Sequence, residues 1–122
     1  MDKETLDFVA KRADILAASD NSTQVTKDAA NAWKAAVAAD SSAEAVEAAT
    51  TTLLDILDGR PTTIDGVIAF AKGPAVEMFG KEAADKILAE QTKRKEEGAK
   101  WCNCDACTAA SEILAKFGRC EL

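Results

Sequence analysis

The chain has 122 residues, 48% of them hydrophobic, and a formal net charge of −6. That length is enough for one core-bearing domain without disulfide staples. The negative charge argues against nucleic acid as a partner, and no run approaches the ~20 apolar residues needed to span a bilayer. Against 26 alanines stand only four phenylalanines and two tryptophans. Alanine is the best helix former and a poor strand former, so composition predicts an all-α fold with a thin core.

In chain order, residues 3–18 place Leu6, Val9, Ala13, Leu16 and Ala17 on one helical stripe, with Lys3, Asp7, Lys11 and Asp14 opposite. Asp20-Asn21-Ser22 breaks the pattern and offers caps for the next helix, and residues 23–39 resume it with Val25, Ala29, Trp33, Ala36 and Val37. After Asp40, Ser41 with Glu44 three residues on has the form of a capping box. A third helix over 43–57 points Val46, Ala49, Leu53, Leu54 and Leu57 inward, and Asp58-Gly59-Arg60-Pro61 stops it.

The second half is more broken. Thr63 can cap a short helix from Ile64 to Lys72, Gly73-Pro74 opens a further turn through Met78-Phe79, and Gly80 ends that turn. A helix over 81–97 turns Ala84, Ile87, Leu88 and Gln91 inward and stops at Gly98. Its basic run Lys93-Arg94-Lys95 suits a helix C-terminus. A last helix over 105–117 presents Ala106, Ala110, Ile113, Leu114 and Phe117. The expectation is a single helical domain, residues 1–122, forming a compact bundle of six to seven helices with a cysteine-bearing loop before the last one. The pairs Asp7 with Lys11, Lys11 with Asp14 and Glu90 with Arg94 read as helix-surface partners, not as acid–base machinery.

Chemistry concentrates in one place. Cys102, Cys104 and Cys107 fall within six residues, and the remaining cysteine is Cys120. The first residues are charged and lack the apolar stretch of a secretory signal, so a cytoplasmic location with reduced thiols is expected. Cysteines at this spacing, just before and in the first turn of a helix, bring three sulfurs near one point, where the helix N-terminus favours thiolates. A metal site of Cys102, Cys104 and Cys107 follows, with Zn²⁺ as cofactor or an iron–sulfur cluster on the same ligands.

Reach disfavours Cys120 as a fourth ligand unless the last helix breaks early or a partner chain supplies it. A continuous last helix carries Phe117 roughly 15 Å from Cys107 at ~1.5 Å per residue, and three more residues return at most ~10 Å. With no histidine in the chain, Asp105, another carboxylate or water would have to complete the site. Two other readings use the same residues. One is a thiol-redox or stress-responsive protein without metal; the other is a plain helical module for a protein partner, its cysteines incidental. No residue set fills nucleophile, base and oxyanion roles together, so nothing supports catalysis.

Ile64-Asp-Gly-Val-Ile-Ala-Phe-Ala71, followed by Gly98-Ala-Lys-Trp-Cys-Asn-Cys-Asp-Ala-Cys107, resembles a small bacterial family of about this length. Its members often carry an automatic label naming them as the ninety-kilodalton heat-shock chaperone. The resemblance implies no activity and no catalytic residues. The chaperone label itself fails physically, because that ATPase needs an α/β nucleotide-binding domain far larger than this chain. Gly59, Gly66, Gly73, Gly80, Gly98 and Gly118 are single and spaced as helix punctuation.

Overall fold

A computed structural model describes residues 2–122. Among them the chain forms seven helices: α1 (Lys3–Ala18), α2 (Gln24–Ala39), α3 (Ala43–Leu57), α4 (Ile64–Lys72), α5 (Pro74–Phe79), α6 (Lys81–Glu96) and α7 (Asp105–Lys116). The all-α expectation holds, and the helix ends fall within about a residue of those set by caps and breakers. No helix among the described residues is long and apolar enough to cross a membrane.

The chain makes two compact units. One comprises the chain up to Pro61 together with Cys104–Glu121; the other is Thr62–Asn103. In the first, α1 packs on α2 and α7, and α3 packs on the same two helices. Val9, Leu16, Trp33, Leu53, Leu57 and Ile113 form the centre of its core. Ala13, Ala29, Ala30, Ala106, Ala109 and Ala110 are buried around them. Small side chains between packed helices let the axes approach closely. In the second unit α6 packs against both α4 and α5, over buried Ile64, Val67, Ala71, Ala75 and Ala84.

Two local expectations need correction. The cap of α3 is Ser42, not Ser41: the Ser42 hydroxyl accepts from the Ala45 N–H, while Asp40 accepts from the Ser42 N–H. The Asp40 bond orients the chain one residue later than the capping-box pattern implied. On α2 the inward stripe runs through Thr26, Ala30 and Trp33, whereas Val25 is 50% exposed and Ala36 is exposed as well.

One polar pair joins the buried stripes of α2 and α3. Trp33 and Thr50 are both 3% exposed, and the indole Nε1–H donates to Thr50 Oγ1 at 3.0 Å. Thr50→Val keeps the side-chain shape but leaves the indole donor buried without an acceptor. The expected loss is about 1–3 kcal/mol of unfolding free energy, read from the midpoint of a urea titration at unchanged slope.

Candidate metal centre

The segment carrying the cysteines is set up by the end of α6. Gly98 sits at φ +94°, its N–H donates to the Lys95 carbonyl at 3.0 Å, and the next N–H, of Ala99, reaches back to the Arg94 carbonyl at 2.9 Å. These two bonds satisfy the last carbonyls of α6 and need a left-handed residue, which glycine supplies without strain. The reversed chain then pairs with the segment before α4. Ile64 N–H donates to the Lys100 carbonyl (2.9 Å) and Cys102 N–H to the Thr62 carbonyl (2.8 Å), making an isolated antiparallel bridge between Thr63 and Trp101.

Side chains of α6 hold the same segment. Arg94 Nη1 donates both to the Trp101 carbonyl (3.0 Å) and to Gln91 Oε1 (2.7 Å). Gln91, only 4% exposed, uses its amide N–H to reach Asn103 Oδ1 at 2.9 Å, and Asn103 in turn donates to Glu90 at 3.2 Å. A buried glutamine is retained when both ends of its amide are satisfied, and here they are. The inward position of Gln91 was visible in the helical period; its partners were not.

Cys104 is the N-cap of α7, with extended backbone (φ −64°, ψ 158°) and its sulfur accepting from the Cys107 N–H at 3.3 Å. The sulfur thus takes the place that a serine or aspartate oxygen fills at other helix starts. Cys107 lies on the first turn, one helical step away. The sulfurs of Cys102, Cys104 and Cys107, all half-buried, lie within 4.8 Å of one another. No carboxylate and no fourth cysteine among the described residues joins the group.

Asp105 is occupied elsewhere. Its Oδ1 accepts from the Ser19 hydroxyl (2.6 Å), the Asn21 amide (3.1 Å) and the Ala106 N–H (2.8 Å). The Ser19 bond, then the Asn21 bond, hold its carboxyl below the usual aspartate range. It therefore anchors the start of α7, where the helix dipole also favours an anion, and is not drawn to the sulfurs.

A carboxyl whose folded pKa is depressed adds stability above its unfolded value of 3.8. That stability is lost as pH falls through the lower folded value. Asp105→Asn is accordingly expected to flatten the decline in thermal midpoint below about pH 4, and equal acid sensitivity in both proteins would refute this role.

Cys120 points away from the cluster's chemistry. Its thiol donates to the Ser111 carbonyl at 3.4 Å; burial, and then the charge of Asp58, push its pKa up. It stays protonated and behaves as a small apolar side chain against the core. Asp58 is itself held by Arg119, which bonds Asp55 and Asp58 at 2.8 Å each.

Fold and site together describe an all-helical protein with a three-sulfur cluster entering its last helix. No protein-family model matches the chain, and neither curated proteins nor solved structures give a match.

Proposed function

We propose that this is a small helical metal-binding protein of the cytosol, holding a soft thiophilic ion, Zn²⁺ in the first instance, through Cys102, Cys104 and Cys107. The observation that carries the reading is the approach of three sulfurs to within 4.8 Å. Three thiolates suit a borderline-soft cation, and a zinc ion takes them at about 2.3 Å with one position left for water. An iron–sulfur cluster is ordinarily held by four cysteines, so a three-sulfur set supports it less. The first turn of α7 adds order at the ligands, since the Cys107 N–H donates to the Cys104 sulfur and the helix N-terminus favours negative charge.

The test is metal analysis of protein purified reduced and without chelator, combined with thiol titration. Stoichiometric zinc with three of the four cysteines protected is the expected result. Four reactive thiols and no metal, even after zinc is added back, would remove this reading and leave thiol-redox chemistry or a plain helical partner-binding role.

A further inference from the structure

We propose that the Cys102–Cys104–Cys107 cluster selects a three-coordinate thiophilic centre of the trivalent arsenic and antimony class, and that such a centre displaces zinc from it. The proposal deepens the metal-binding reading and rests on it.

The donor count is the first argument. Among the described residues three sulfurs converge, and no carboxylate and no fourth cysteine joins them. The chain has no histidine, Asp105 Oδ1 already accepts three hydrogen bonds, and the Cys120 thiol is turned to the Ser111 carbonyl. A zinc ion here needs an outside ligand to finish its tetrahedron. Trivalent arsenic needs none: it forms three bonds, and its lone pair fills the fourth direction.

Charge is the second argument. Arsenous acid reacts with three thiols in a balanced exchange. Three As–OH and three S–H bonds break, three As–S bonds form, and each hydroxyl leaves with a thiol proton as water; from the zinc-loaded site, whose sulfurs are thiolates, the three protons come from solvent and the ion leaves as aqueous Zn²⁺. Arsenic remains trivalent, no electron moves, and the product is neutral. Zinc on three thiolates leaves one net negative charge at a half-buried place in a chain whose formal charge is already −6. Burying a net charge costs free energy that the neutral adduct avoids.

Geometry is the third. Bonds of about 2.3 Å, the zinc–thiolate length, put sulfurs roughly 3.4–4.0 Å apart across angles from pyramidal to trigonal planar. Sulfurs already within 4.8 Å reach that spacing by side-chain rotation. The backbone on either side is held, through Cys102 N–H on Thr62, Gln91 on Asn103, Arg94 on Trp101 and the Cys104 cap. A chelating site gains affinity where the backbone that carries its ligands is already ordered.

The experiment titrates the reduced full-length chain, loaded with zinc, with sodium arsenite. Near-ultraviolet sulfur-to-arsenic absorption, released zinc and X-ray absorption at the arsenic edge are the readouts. Expected are one arsenic per chain with three sulfur neighbours and no oxygen, and release of equimolar zinc. Cys107→Ser should weaken arsenite binding more than 100-fold, and Cys120→Ser should leave it unchanged. Zinc retained against equimolar arsenite, or arsenic bound by two sulfurs and an oxygen, overturns the selectivity while zinc binding stands. Failure of both ions to bind overturns the metal-binding reading as well.

Discussion

Replacing Leu57 with alanine is expected to cost about 2–5 kcal/mol of unfolding free energy, toward the upper end of that range. Leu57 is fully buried at the end of α3 and belongs to the core of the unit built from α1, α2, α3 and α7. The cost of such a truncation depends on how far neighbours collapse into the space. The same core holds many alanines, among them Ala13, Ala30, Ala106 and Ala110, and a methyl group cannot swing into a void. The cavity should persist, and the lost transfer energy and cavity term should both register. Against a typical total of about 5–15 kcal/mol, that is a large share. Urea unfolding followed by far-ultraviolet circular dichroism measures it. Val25→Ala is the matched control, since Val25 is half-exposed and should shift stability by no more than about 0.5 kcal/mol. A Leu57→Ala loss below about 1 kcal/mol would mean that this core is loosely packed and that the alanine-lined crossings do not rigidify it.

The same alanine content decided what could be read from the sequence. Helix ends were legible where single residues with local causes write them, as with Thr63 before α4 and Gly98 and Gly118 after α6 and α7; on α2 the cap is Thr23 and not the Asp20-Asn21-Ser22 break, and on α1 it is Asp2. Helix faces were legible where leucines mark them, as in α3 with Leu53, Leu54 and Leu57. On α2 they were not. Alanine occupies so many positions that the apolar stripe has little contrast, and Val25 was placed inward on hydrophobicity alone. The structure turns Thr26 inward instead, its hydroxyl bonded to Thr23. That choice follows from where Trp33 must sit to reach Thr50, a tertiary fact with no local signature.

At the candidate site, too, short range was legible and long range was not. The convergence of Cys102, Cys104 and Cys107 follows from spacing and a helix start, both visible in six residues. The strand-like pairing that fixes Cys102 joins it to Thr62 across a whole subdomain of helices, and nothing in either residue type announces it. Asp105 illustrates the other side of this limit. Its place beside the cysteines made it a plausible ligand, but its partners Ser19 and Asn21 come from the loop after α1. Proximity in sequence suggested one role for the carboxylate, and packing assigns it another.

Cys104→Ser is expected to separate the two tasks of that residue with opposite signs. As the N-cap of α7, Cys104 accepts the Cys107 N–H through sulfur. Serine is among the best residues at that position, and its oxygen is the stronger acceptor. The helix should therefore be as stable as before or slightly more so. As a metal ligand the hydroxyl is poor, because it is not ionised at neutral pH and a soft cation prefers thiolate. Altering a residue that merely orients a ligand costs about 10–100-fold in affinity, so losing one of three direct ligands should cost more than about 100-fold. Competition with a chromophoric zinc chelator measures the affinity, and chemical denaturation of the metal-free proteins measures the stability. Cys107→Ser removes a ligand from the first turn without touching the cap atom, and should lose affinity to a similar degree. Zinc affinity left intact in Cys104→Ser would show that its sulfur serves only the helix, and the three-sulfur site would have to be abandoned. Parallel loss of affinity and of metal-free stability would instead make the cap, rather than the ion, the reason a cysteine stands there.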